Sequence, residues 1–144
     1  MSLNKSTRYA LYAAMEMAAA GEQGQVTVAR VAERYSIPGS VLAKVFQRLV
    51  RSGIALGTRG TGGGYSLAKS PSKVTMLDVI DAFESSRQDD EVLLADEADP
   101  GFEDLGWGRL RQVFDEVNEN ARCTYASVTL ETLVNRRSNG DGGD

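Results

Sequence analysis

Between Ile37 and Leu67 the spacing of apolar residues changes from helical to alternating. Leu42, Val45, Phe46 and Leu49 recur at i, i+3, i+4 and i+7, which predicts a helix over residues 38–52 with one face turned to a core. Ser40, Lys44, Gln47 and Arg51 recur at i, i+4, i+7 and i+11 on another face, with Arg48 on its edge. That face is polar and cationic and holds no carboxylate. Beyond Gly53 the period falls to two. Ile54, Leu56, Tyr65 and Leu67 are the expected inward positions of two strands, joined by the glycine-rich loop Arg59-Gly60-Thr61-Gly62-Gly63-Gly64. A basic helix face by itself is an ordinary solvated surface. Followed at once by a hairpin with an arginine at its tip, it has the order of a winged helix-turn-helix, in which the basic face suits the major groove of a duplex. The glycines do not form a nucleotide loop, because no Gly-Lys-Ser/Thr follows them and Tyr65 takes the last place of a GxGxxG spacing.

The flanking patterns complete this arrangement. Ser6 or Thr7 is the expected cap of a first helix ending near Ala20, with Ala10, Ala13, Ala14 and Met17 as a small-residue packing face. Lys5, Thr7 and Arg8 at its start are candidates for a phosphate contact, or simply a solvated helix end. Gln25-Val26 reads as a short strand, and Thr27 as the cap of a helix with Val28, Val31, Ala32 and Tyr35 inward. Ser36-Ile37-Pro38-Gly39 is the turn into the basic helix. Downstream, Thr75 and Asp78 have capping-box spacing for a helix to about Glu84, with Val79, Ile80 and Phe83 on its core side. A long helix is predicted from about Leu105 to Ala126, with Leu110, Val113, Phe114, Val117 and Ala121 in one stripe. An apolar stripe on a helix projecting from a small domain needs a partner, and a second copy of the chain is the default. Packing on its own domain is the alternative. A short helix over 128–136 and a disordered tail over 138–144 follow.

Charge separates the two halves. The net charge is −4, but residues 1–80 hold ten Lys/Arg against four Asp/Glu, and residues 81–144 hold six against sixteen. The first half, at +6, can approach phosphates; the second, at −10, is repelled by them. Eight carboxylates fall between Asp89 and Asp104. They lack the order and fixed glycine of an EF-hand, so a solvated loop is expected. The chain contains no histidine and one cysteine, Cys123. This excludes an internal disulfide, histidine-based triads and the commonest metal ligand, and it agrees with a reducing cytoplasm. No apolar run approaches a membrane span. No nucleophile–base pair, metal set or nucleotide loop can be assembled, so an enzyme is not expected.

These residues resemble the Rrf2 family of bacterial transcription regulators. The resemblance is carried by Tyr9-Ala10, by Ile37-Pro38 with Leu42, Lys44 and Leu49, by Ser52-Gly53-Ile54, and above all by Arg59 to Ala68. Thr75 to Ile80 and Val128 to Leu133 extend it, so that it covers residues 1–86 closely and 105–137 more loosely. It implies a mainly α fold with a small β-wing: a winged helix-turn-helix domain over 1–86, an acidic loop over 87–104 and dimerisation helices over 105–137. It further implies a cytoplasmic homodimer, more often a repressor, bound to double-stranded DNA with dyad symmetry. Ser40, Lys44 and Gln47 are then candidates for base edges, Arg48 and Arg51 for phosphates, and Arg59 for the adjacent minor groove or its phosphates. Many members hold an iron–sulfur cluster through three cysteines in the loop corresponding to 85–104, and here none is present. Arg111 stands about where the family's cluster regulator has a histidine ligand, and Ala43 where that regulator carries a glutamate. No cofactor is expected. Cys123 is a candidate for an oxidisable pair across the dimer, or an inert thiol. The competing reading is a ligand- or protein-binding module that keeps the fold while DNA binding is secondary.

Overall fold

The computed structural model describes residues 3–22, 24–60, 63–84 and 107–140. The acidic loop and residues 141–144 of the expected tail lie outside the described residues. Helices α1 (Lys5–Ala20), α2 (Val28–Tyr35) and α3 (Gly39–Arg51) are followed by strands β1 (Ala55–Thr58) and β2 (Gly64–Leu67). A 3-10 turn at Pro71–Lys73 leads to α4 (Met76–Phe83); α5 (Trp107–Ser127) and α6 (Leu130–Gly140) close the chain.

Helix α1 starts earlier than its hydroxyl residues suggest. Asn4 is the cap, its Oδ1 accepting from the Thr7 amide at 2.8 Å. Asparagine caps as well as serine, and the Asn4 amide is in turn held by Glu84 Oε1 at 2.8 Å. Thr7 is thereby removed from any phosphate: it is fully buried, and its hydroxyl donates to Asn4 and to Glu84. Ala10, Ala13, Ala14 and Met17 form the expected inner face, which packs against α3, α4 and α6. Glu16, also buried on α1, accepts from the Tyr35 hydroxyl at 2.7 Å and pairs with Arg34, tying α1 to α2.

The turn between α2 and α3 depends on a left-handed residue. Ser36 has φ 54° and ψ 45°, and the Ile37 amide reaches back to the Ala32 carbonyl at 3.0 Å. This is the six-to-one bond of a Schellman ending. Helix α3 ends the same way: the Gly53 amide bonds the Val50 carbonyl, the Ile54 amide bonds the Leu49 carbonyl, and Gly53 has φ 77°. Leu49 and Ile54 are both buried at this ending, the apolar contact that commonly accompanies the motif.

The core gathers Leu42, Val45, Phe46 and Leu49 of α3 with the alanine face of α1, Val79 and Phe83 of α4, and Leu130. Thr75 and Asp78 form the expected capping box. Leu130 is completely buried, and its amide bonds the Val74 carbonyl while the Met76 amide bonds the Val128 carbonyl. The last helix therefore packs back on the first domain, although sequence order places it with the long helix. It also extends to Gly140, taking in residues 138–140 assigned above to the tail. Thr129 accepts from the Thr132 amide at 3.2 Å, and once a first turn is nucleated each added residue costs little.

Candidate nucleic-acid interface

The wing is a two-stranded antiparallel sheet with Ala55 opposite Leu67, Leu56 opposite Ser66, Gly57 opposite Tyr65 and Thr58 opposite Gly64. This register corrects one inward position. Ala55 is buried and Leu56 is 55% exposed. Ile54 belongs to the ending of α3 rather than to the strand, so the alternation restarts one residue later and Leu56 falls on the outer face.

Three contacts fix the wing, one to α3 and two to the segment before α2. The Phe46 and Tyr65 rings stack with centroids 4.5 Å apart. Val26 and Tyr65 exchange two backbone hydrogen bonds, at 2.9 and 2.8 Å, so the short strand expected at Gln25-Val26 is reduced to a single bridge from Val26 to β2. Gln25 Nε2 donates to Thr58 Oγ1 at 3.1 Å, near the base of the tip. The sequence pattern foresaw the helix and the hairpin but not these contacts, which join residues nineteen to thirty-nine positions apart and leave no periodic trace.

The close approach at Val26 explains one glycine. A Cβ on Gly64 would lie 2.6 Å from the Val26 carbonyl oxygen, a backbone atom that cannot move aside alone. Gly64→Ala is expected to push β2 away from residues 25–26 and lower stability by about 1–3 kcal/mol. Urea denaturation checks this, and an unchanged midpoint would show that the strand yields without cost.

Ser40, Lys44, Gln47 and Arg51 are all exposed, as is Arg59 at the start of the wing tip. Gln47, Val50 and Arg51 face Gly57, Thr58, Arg59, Gly64 and Tyr65 across a groove of about 550 Å³. The four helix residues thus lie on one free face, and the last of them border the wing.

Arg48 is placed differently. It is half-buried, and its Nε donates to the Ala82 carbonyl of α4 at 2.7 Å. The guanidinium carbon lies 5.0 Å from the centroid of the Phe83 ring. Sequence spacing set Arg48 at the edge of the cationic face, a position from which a long side chain can turn either way. Here it turns to the carbonyl end of α4, where a cation is favoured.

On α5, Leu110, Val113, Phe114 and Val117 are 46%, 55%, 42% and 50% exposed, and Ala121 is half-buried. Among the described residues the apolar stripe is therefore left largely uncovered. Where α5 meets α4, Arg122 binds both oxygens of Asp81 at 3.0 and 3.3 Å. The hydrogen bond and the charge of Asp81 raise the Arg122 pKa above its ordinary value. Cys123 is exposed, with Sγ 3.8 Å from Glu119 Oε1. Among the described residues no helix is long and apolar enough to cross a membrane.

Comparison with known proteins agrees with this geometry. Residues 3–136 match the family described as Rrf2, iron-dependent transcriptional regulator. BadM of Rhodopseudomonas palustris is 36% identical over 134 residues, covering 93% of this chain and 81% of BadM. The HTH-type transcriptional regulator IscR of Photorhabdus laumondii is 31% identical over 137 residues, covering 95% and 81% of the two chains. Among solved structures, T. potens IscR superposes with a TM-score of 0.77 at 21% identity, covering 100% of this chain and 93% of that one. At that identity the likeness concerns the fold: winged helix-turn-helix, mainly α, with a small antiparallel sheet.

Proposed function

Because the chain belongs to the Rrf2 family of helix-turn-helix transcriptional regulators, we propose that it is a homodimeric repressor that recognises a dyad-symmetric operator without an iron–sulfur cluster. One observation carries the DNA reading: the carboxylate-free face Ser40, Lys44, Gln47 and Arg51 is exposed and borders the groove beside the wing. Helix α3 enters the major groove. Ser40, Lys44 and Gln47 meet base edges, and Arg51 meets a phosphate. Arg59 reaches the neighbouring minor groove or its phosphates. Ala43, half-buried on α3, offers a methyl group, which cannot accept from a cytosine amine. Base preference at that step differs from that of a relative with a carboxylate there.

The dimer reading rests on the uncovered stripe of α5. Paired through it, two copies place their recognition helices on half-sites about one helical turn apart. The winged domain over 1–86, the acidic loop over 87–104 and the dimerisation region over 105–137 are the working units, with Leu130 anchoring the third to the first. The cytoplasm is the compartment proposed, where a DNA-binding protein with an unpaired thiol has its ligand and a reducing medium.

The family description names iron, and the donor set of this chain does not fit an iron–sulfur cluster. Such clusters are held by thiolates, with imidazole as an occasional substitute. One cysteine and no histidine cannot supply four ligands, and two copies of Cys123 would supply only two. Recognition is assigned to the side chains alone.

Selection of binding sites from random duplexes by the metal-free protein tests this reading. The expected result is one enriched sequence with dyad symmetry; sequence-blind binding would overturn it. On the selected site, Arg59→Ala is expected to weaken binding and to reduce the slope of log affinity against log salt by about one unit if it meets a phosphate. A titration at several salt concentrations measures this, and unchanged affinity and slope would remove Arg59 from the interface.

A further inference from the structure

The last turn of α4 is gripped from two sides. The Glu84 amide bonds the Ile80 carbonyl at 2.7 Å, which leaves the next carbonyls beyond the reach of the helix's own amides. Arg48 of α3 takes one of them, Ala82, at 2.7 Å and lies over the adjacent Phe83 ring. From the other side, Arg122 of α5 binds Asp81 through two oxygens. Asp81, Ala82 and Phe83 are consecutive. Three residues therefore connect the helix proposed to read DNA with the helix proposed to join the two copies.

Each grip is directional. A charged donor at a helix carbonyl end is favoured by the aligned peptide dipoles, and a two-point guanidinium–carboxylate pair fixes orientation as well as distance. The Arg48 bond is half-buried, where water competes less. The Asp81–Arg122 pair is about half-exposed on both sides, so it contributes little to stability while still restricting angle.

We infer that Arg48 is a positioning residue for DNA recognition: through the last turn of α4 it sets the angle between α3 and α5, and so fixes which separation of half-sites the dimer accepts. This rests on the dimeric reading proposed above. It gives Arg48 a part in specificity without contact to the duplex, in place of the phosphate contact expected from its spacing.

The test uses the full-length protein, the operator selected by the wild type, and derivatives with the centre of the site shortened or lengthened by one base pair. The wild type is expected to prefer its selected spacing sharply. Arg48→Gln is expected to keep the wild-type salt slope and to lose about tenfold of that preference, the scale of a typical coupling between sites. Asp81→Asn, a change at an exposed pair that leaves the core intact, is expected to relax spacing in the same direction. The double variant should relax it no further than the stronger single one, because both act through one turn. If Arg48→Gln does not fold, Asp81→Asn alone decides. A salt slope lower by about one unit with spacing preference intact would restore Arg48 to the phosphates and overturn the inference. Reduced stability with unchanged spacing preference in both variants would reduce the contact to a brace and overturn it too. A wild-type protein that selects no paired half-sites would defeat the dimeric reading, and this inference with it.

Discussion

Val117→Asp is expected to make the protein monomeric and to weaken operator binding by about a hundredfold or more. Val117 stands in the middle of the α5 stripe and is 50% exposed within one chain, so a carboxylate there is tolerated by the monomer. In the proposed dimer the same residue would be opposed, across a two-fold axis, by the stripe of the second copy. The substitution would then bury two like charges against apolar side chains, at a cost of several kcal/mol. The effect on DNA follows from linkage. A dimer binds its second half-site intramolecularly, and that advantage commonly amounts to about 10²–10⁴-fold. Sedimentation velocity reads the assembly state and a fluorescence titration reads the affinity. A Val117→Asp protein that remains dimeric with unchanged affinity would show that the copies meet elsewhere.

Phe46→Ala is expected to reduce stability by about 3–5 kcal/mol, a large part of the margin of a small domain. Phe46 is completely buried and is the largest side chain so enclosed among the described residues. It has two roles at once, filling the core beneath α3 and offering the ring on which Tyr65 stacks. Phe46→Leu, which keeps most of the volume, separates them. It should lose little beyond the ring contact, about 1 kcal/mol, while the wing loosens and DNA affinity falls. Urea unfolding at fixed protein concentration, needed because a dimer's stability depends on it, measures both variants. A loss below about 1 kcal/mol for Phe46→Ala would mean that the site collapses without a cavity, contrary to the close packing of this core.

Much of the interface could be read from local order. The polar stripe of α3 is exposed as its spacing requires, because helical geometry places i, i+4, i+7 and i+11 on one side whatever the surroundings. The capping box at Thr75 was equally legible, being complete within four residues. Leu56 was misplaced by the same kind of reasoning. Period two is a reliable guide only when the first residue of the strand is known, and here the ending of α3 consumes Ile54.

The start of α1 went to Asn4 because Glu84, eighty residues away, accepts the Asn4 amide. Local capping preferences do not separate asparagine from serine, so a distant carboxylate accompanies the choice. Thr7 is buried by the same contact. The return of Leu130 to the core was hidden for a related reason. The pattern of α6 shows an apolar side but not which of two domains receives it.

The sequence by itself determined the type of every described element but the 3-10 turn, the cationic face of α3, the apolar stripe of α5 and the lack of cluster ligands. These follow from helical and strand periodicity, charge and residue count, which need no knowledge of distant contacts. Only the tertiary structure decided the phase of β1, the anchoring of α6 and the direction of Arg48. A side chain of that length on the edge of a helix can turn outward to solvent or inward to a carbonyl at the end of a neighbouring helix. The choice was made by the end of α4, which the folded chain sets beside it.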